Sequence, residues 1–179
     1  IVDDVRLPGL EASSMYAGIM VDTNNFMNRA GVRTFEAAAF LRRSGADITF
    51  VRKLFREDME TYRAKAKIIS SAEVFREVYA IARGEDMQVD SPTLVGAQAA
   101  NELLDIGNVK ASFVLTKYNG KIYVSARAID ELNVQIIMER LGGGGHINTA
   151  GAQFDHTDME KAIEVLKETI NVMIEEGDI

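Results

Sequence analysis

The residue types with the clearest chemical potential lie in one short stretch late in the chain. Four consecutive glycines are followed by a histidine and, two residues later, by an asparagine. Glycine lacks a Cβ atom, so such a run tolerates positive φ angles and lets a ligand approach the backbone closely. Successive backbone N–H groups in a loop of this kind can converge on an anion such as a phosphate. The residues of this predicted anion-binding loop are Gly142, Gly143, Gly144, Gly145, His146 and Asn148.

A glycine run is also typical of a flexible loop, so other residues have to decide its role. Apolar residues recur at helical spacing through residues 11–20, and Asp22 stands where that pattern stops. An aspartate in this position commonly caps a helix or forms a turn. A carboxylate at the end of an element can also project into a site and ligate a hard divalent metal. Asp22 is therefore a candidate metal ligand.

A hairpin supplies two further candidates. Two segments with alternating apolar residues, 110–118 and 121–128, flank Asn119-Gly120, the pair that two-residue hairpin turns favour. The alternation in the resulting register turns Ser125 and Arg127 the same way, away from the apolar core face. An arginine on a sheet is usually a solvated side chain, but beside an anion-binding loop it is a candidate for a phosphate or carboxylate.

The surrounding pattern indicates how these residues are positioned. Residues 11–70 carry helical patterns throughout, whereas the pattern becomes mixed after Ser71. It then predicts a strand at 74–82, a helix from Ser91-Pro92, the hairpin, a short helix before the glycines, a short strand at 150–154 and a final helix. We therefore predict an α/β (α+β) chain, with a helical part at 1–70 and a small mixed-sheet α/β domain of about four strands at 71–179.

Composition excludes several classes of protein. The chain of 179 residues has no cysteine, which rules out disulfides and thiolate metal sites, and it has only two histidines. Its net charge of −7 argues against an extended surface for non-specific binding of nucleic acid, which needs clustered cationic side chains. It contains neither a long apolar run nor a signal peptide, so we expect a soluble, cytoplasmic chain without a membrane segment. The sequence begins with Ile1, which suggests a piece of something longer.

Three segments together resemble DHH-family phosphoesterases. Residues 17–26 (AGIMVDTNNF) and 31–38 (GVRTFEAA) resemble the end of the catalytic domain in that family, and residues 141–146 (LGGGGH) look like the signature of its smaller domain. The order and spacing match over nearly the whole chain. The segment around Asp22 looks closest to the GdpP-type cyclic di-AMP phosphodiesterases, and the nanoRNases that also cleave pAp are more distant there.

The resemblance implies a function and a set of roles. Such enzymes carry two Mn²⁺ ions in the larger domain, and Asp22 corresponds to the last aspartate ligand, which makes it a catalytic residue. The glycines with His146, the second predicted catalytic residue, would bind the substrate phosphate from across a cleft, and Ser125 with Arg127 would support the nucleotide. The implied chemistry is metal-assisted hydrolysis of cyclic di-AMP to linear pApA, in which paired ions activate a water.

The sequence also departs from the family pattern. The Asp-His-His tripeptide and the earlier Asp-x-Asp metal motif are absent, and Asp155-His156-Thr157 lies beyond the glycines and is not that motif. One carboxylate cannot hold two divalent ions, which need several ligands each. We therefore expect a C-terminal fragment that is inactive by itself, taken from a parent that could be membrane-anchored.

Two other readings stay open at this point. The same family fold could act on short oligoribonucleotides or pAp, or the chain could be a nucleotide-binding module that does not cleave its ligand. Family members often dimerise, so a homodimer is a further expectation.

Overall fold

The computed structural model describes residues 7–27, 29–129 and 132–179, which form seven helices and one six-stranded mixed sheet. The helices are α1 (Gly9–Asp22), α2 (Val32–Arg43), α3 (Ile48–Leu54), α4 (Met59–Ser70), α5 (Pro92–Leu103), α6 (Val134–Arg140) and α7 (Met159–Glu176). The strands are β1 (Glu73–Phe75), β2 (Tyr79–Gly84), β3 (Ala111–Tyr118), β4 (Lys121–Ala128), β5 (Gly144–His146) and β6 (Thr149–Asp155). The predicted α/β class is confirmed. Within these ranges, no helix is both long and apolar enough to span a bilayer.

The chain divides into two compact units, of which the first ends at Glu57 and the second begins at Asp58. Helix α4 therefore lies in the second unit, whereas the helical pattern through residue 70 predicted that it belongs to the first domain. The physical reason is packing: Ile68 of α4 is buried in a core with Leu103 of α5 and Val114 of β3. The functional domain boundary at 70/71 stays a prediction.

The first unit contains α1, α2 and α3 around a small core. Ala12, Leu41 and Ala46 are its buried apolar residues. The start of α3 is tied to α1, because the backbone N–H of Asp47 donates to the Ser13 hydroxyl at 2.9 Å. Asp47 in turn caps α3 by accepting from the first-turn backbone.

The sheet of the second unit has the strand order β1-β2-β3-β4-β6-β5. Strands β2 and β3 are parallel and are joined through α5, while the other neighbouring pairs are antiparallel. The predicted hairpin register is confirmed, since Tyr118 pairs with Lys121 and Leu115 with Val124. Because β6 lies between β4 and β5, the hairpin and the glycine stretch belong to one continuous sheet.

One strand prediction is wrong. The structure contains no single strand over 74–82; β1 and β2 form an antiparallel hairpin there, over residues 73–84. Arg76 and Glu77 make the connection with φ angles of 49° and 66°. Neither is a usual turn residue, so the sequence carries no local signal of the break. This hairpin, together with β5, brings the strand count to six where about four were expected.

The two sides of the sheet are covered differently, and we name them by that difference. Helices α6 and α7 pack on one side, the closed face, over a core that includes Phe113, Ile137 and Leu166. Helices α4 and α5 pack on the other side over β2 and β3. On that second side, β4, β6 and β5 form an area that we call the open face.

Candidate functional site

Asp22 lies at the C-terminal end of α1 and its side chain is exposed. Thr23 follows it and is buried; its hydroxyl donates to the carbonyl of Ile19 at 2.7 Å and accepts from the Phe26 backbone N–H at 3.0 Å. Asn24, Asn25 and Phe26 have φ angles of 46°, 56° and 66°. Consecutive non-glycine residues in the left-handed region are costly, so Thr23 holds a strained turn directly after the predicted ligand.

The metal centre itself is not assembled by the residues that the structure describes. Among residues 7–27, 29–129 and 132–179, no group of three or more His, Asp or Glu side chains is placed to hold a metal ion. Asp22 can offer one carboxylate, and a divalent ion needs several ligands. Its role as ligand and catalytic residue stays a prediction.

The first two glycines of the run end helix α6. Gly142 has a φ of 78°, its N–H donates to the Glu139 carbonyl at 3.0 Å, and the N–H of Gly143 donates to the Met138 carbonyl at 2.8 Å. This pair of bonds is the Schellman motif, which satisfies the last carbonyls of a helix. Both N–H groups are therefore already bonded within the helix end, and the binding of an anion by these two glycines stays a prediction.

Two glycines are required because another strand passes close by. A Cβ atom on Gly143 would lie 2.1 Å from the Gly151 carbonyl oxygen, and one on Gly145 would lie 2.5 Å from the Cα of Ala150. These distances are shorter than any non-bonded contact of a Cβ atom, so strand β6 leaves no room for a side chain at Gly143 or Gly145. The middle part of the predicted loop is in fact the edge strand β5, Gly144–His146, which pairs with β6.

Gly144 differs from its three neighbours. A Cβ atom built there meets no protein atom within 4 Å, and its φ is not in the left-handed region. The fold thus gives no steric or conformational reason for glycine at this position. A backbone position without a side chain and with open space beside it allows a ligand to approach the main chain closely.

The register places the predicted binding residues in two rows across the open face. Directly paired residues on neighbouring strands share a face, and so do alternate residues along one strand. The rows are Arg127–Thr149–His146 and Ser125–Gly151–Gly144. The structure therefore brings four of the predicted residues together and adds Thr149 and Gly151, which no local sequence signal identifies.

The side of the hairpin that carries Ser125 and Arg127 is less exposed than the alternating pattern predicts. Ser112, Val114 and Thr116 of β3 lie on the same side as Ser125 and Arg127, and they are buried beneath α5. Ser125 and Arg127 are half-buried, and further along the same side Thr149 and His146 are exposed. The two predicted residues thus border a second core and lie where the helical cover gives way to the open face.

Arg127 is held by neutral acceptors. Its Nε donates to Asn101 Oδ1 of α5 at 3.0 Å, and its Nη1 donates to the Ala126 carbonyl at 2.9 Å. Burial lowers the pKa of the guanidinium below its ordinary value, although an arginine remains charged at neutral pH. Within the described ranges, no carboxylate forms an ion pair with it. Two hydrogen bonds thus hold the guanidinium in place, and its binding of an anion stays a prediction.

His146 and Asn148 are positioned by the turn between β5 and β6. The Asn148 carbonyl accepts from the N–H of Ala128 at 3.1 Å, and the Ile147 carbonyl accepts from Val134 at 3.0 Å. These bonds tie the turn to the end of β4 and to the start of α6. The side chains of His146 and Asn148 are exposed, so both are available at the rim of the open face. Their part in binding a substrate stays a prediction.

The comparisons with known proteins agree with this architecture. The DHHA1 domain matches residues 65–172. The cyclic-di-AMP phosphodiesterase GdpP of Geobacillus thermodenitrificans is 44% identical over 97% of this chain and 26% of the relative. The cyclic-di-AMP phosphodiesterase PdeA of Listeria monocytogenes is 39% identical over 90% of this chain and 25% of the relative. The chain spans about a quarter of the length of these curated relatives.

Among solved structures, an exopolyphosphatase-related protein from Bacteroides fragilis superposes with a TM-score of 0.81 and 22% identity, covering 91% of this chain and 50% of that chain. This likeness concerns the fold alone. The family match, in contrast, extends over more than half of the 179 residues and includes both rows of the open face. The chain therefore belongs to the DHHA1 domain family.

Proposed function

We propose that this chain is part of a divalent-metal-dependent phosphodiesterase that hydrolyses cyclic di-AMP to linear pApA. In this proposal the second unit binds the nucleotide on its open face. The observation that carries it is the alignment of Arg127 and His146 in one row. In the neighbouring row, Gly144 has no side chain and has open space where a Cβ atom would lie. The similarity to enzymes named as cyclic-di-AMP phosphodiesterases supports the choice of substrate.

The open face offers what a phosphate ester needs. Arg127 supplies a permanent charge and a planar set of donors that matches phosphate oxygens. His146 on β5 is two strands away from Arg127 on β4, a distance of about 10 Å by the usual strand spacing. The side chains of Arg127 and His146 can therefore reach one phosphate group from opposite sides. Gly151 and Gly144 leave two of the three positions in the neighbouring row without side chains, so the ribose or base can lie against the backbone there.

The described residues do not fit a two-metal centre by themselves. Asp22 is a single carboxylate, and the part of the chain that the structure describes holds no cluster of three ligands. We therefore assign this chain the binding and orientation of the substrate. In a longer protein, Asp22 would contribute one ligand to a centre completed by other residues.

The test compares this chain with a longer form that includes the upstream sequence. Cyclic di-AMP and any pApA formed are followed by chromatography with Mn²⁺ present. We expect turnover by the longer form and none by the chain of 179 residues. In the longer form, Asp22→Ala should reduce the rate by more than about 100-fold, as loss of a metal ligand does. His146→Ala should mainly raise KM, by about tenfold, since it removes a substrate contact.

Three outcomes would count against this function. Substantial turnover by the 179-residue chain would show that its metal site is complete. A longer form whose rate is unchanged by Asp22→Ala would favour a module that binds without cleaving. Faster hydrolysis of short oligoribonucleotides or pAp than of cyclic di-AMP would identify those compounds, and not cyclic di-AMP, as the preferred substrates.

A further inference from the structure

Arg127 is restrained at two of its three guanidinium nitrogens. Nε donates to Asn101 and Nη1 donates to the main chain, while Nη2 has no hydrogen-bond partner among the residues that the structure describes. A free arginine side chain samples many rotamers, and its fork binds an anion only in the right orientation. The contact that fixes this orientation thus affects binding even though it lies outside the row of ligand-facing residues.

Asn101 is a rigid point of attachment. It lies in the last turn of α5, next to Ala100 and close to Leu103, both of which are fully buried. The hydroxyl of Ser112 on β3 donates to the Ala100 carbonyl at 2.6 Å, which ties this turn of the helix to the sheet. The backbone of α5 at Asn101 is therefore fixed relative to the sheet. From this position the amide oxygen of Asn101 accepts from the Nε of Arg127 on β4.

We propose that Asn101 is a positioning residue, which holds the Arg127 guanidinium toward the open face for the phosphate of the bound nucleotide. This inference rests on the proposed function, because it names a residue that acts through Arg127 at the same site. Asn101 acts through its acceptor oxygen. Loss of that oxygen releases the guanidinium and weakens the bound state without removing the charge.

The experiment measures the affinity of this chain for cyclic di-AMP by calorimetry. Asn101→Leu keeps the approximate shape of the side chain and removes the acceptor, and it should weaken binding by about tenfold, the effect of losing one hydrogen bond to a charged group. Asn101→Ala adds no bulk and should show the same loss. Asn101→Asp keeps an oxygen in the same place and should bind within about threefold of the wild type.

A structural role alone would not give this pattern. The Nε–H signal of Arg127 in NMR spectra reports the contact directly: it should exchange slowly with solvent in the wild type and in Asn101→Asp, and rapidly in Asn101→Leu. Thermal unfolding of each variant checks that the fold is retained. A rescue by aspartate together with this exchange pattern identifies the acceptor oxygen as the active feature.

The outcomes separate the inference from the function on which it rests. A wild-type chain that does not bind cyclic di-AMP, or an Arg127→Ala variant that binds as tightly as the wild type, overturns both. Loss of binding in Arg127→Ala with unchanged binding in Asn101→Leu and Asn101→Ala overturns the positioning role alone. Failure of Asn101→Asp to restore affinity overturns it as well.

Discussion

Alternate residues of the same strands form the closed and open faces of the sheet, and the two faces differ in how deeply their side chains are buried. On the closed face, Phe113, Val124 and Ala126 are buried under α6 and α7. On the open face, the intervening positions of β4 carry Ser125 and Arg127, which are only half-buried. Burial on one side holds the strands in a single register, and that register aligns the polar residues on the other side. Candidate binding residues occur where helical cover stops.

The largest expected difference between the faces is in stability. Phe113→Ala removes a fully buried ring from the closed face and should lower the free energy of unfolding by about 3–5 kcal/mol. Ser125→Ala, on the open face of the adjacent strand, should change it by no more than about 0.5 kcal/mol. Urea denaturation followed by circular dichroism measures both. Equal losses would contradict the division into a packing face and a binding face.

A smaller difference is expected within the glycine run. Gly143→Ala forces a Cβ atom against the backbone of β6 and should destabilise the chain by about 1–3 kcal/mol. Gly144→Ala places its Cβ in open space and should leave the unfolding midpoint unchanged. Thermal unfolding of the two variants side by side makes the comparison. A destabilised Gly144→Ala would mean that the fold, and not a ligand, requires this glycine.

The smallest effect concerns an exposed pair at the end of the open face. Lys121 and Asp155 are cross-strand partners, with Nζ to Oδ1 at 3.1 Å, and this contact lowers the pKa of the Asp155 carboxyl. A carboxyl with a lowered folded-state pKa adds stability above its unfolded pKa, and that stability is lost as the pH falls through the folded value. Lys121→Met should raise the pKa of Asp155 in an NMR titration. An unchanged pKa would show that the pair is broken in solution.

Much of the fold was predictable because local signals were strong. The Asn119-Gly120 turn fixes the β3–β4 register, and the pairing of Tyr118 with Lys121 follows from it. The end of α1 at Asp22 also agrees with the helical pattern. The common orientation of Ser125 and Arg127 was predictable for the same reason, since alternation along a strand is a property of the sequence.

The rest depends on tertiary contacts that the sequence does not display. Ser112 and Thr116 resemble solvated strand residues, yet α5 covers them, because Gly96 lets the helix approach to where a Cβ atom would lie 2.2 Å from the Thr116 hydroxyl. The glycine run resembles a loop, yet its spacing reflects the close passage of β6. Thr149 becomes a candidate only once β6 is known to lie between β4 and β5.

The most direct test of the account is the affinity of Gly144→Ala for cyclic di-AMP. The measurement is calorimetric titration of the wild-type chain and the variant under identical conditions. We predict that the wild type binds, and that the added methyl group weakens binding by about tenfold or more while the unfolding midpoint is unchanged. An affinity equal to that of the wild type would show that the nucleotide does not lie against this strand, and would contradict the assignment of the open face as the binding site.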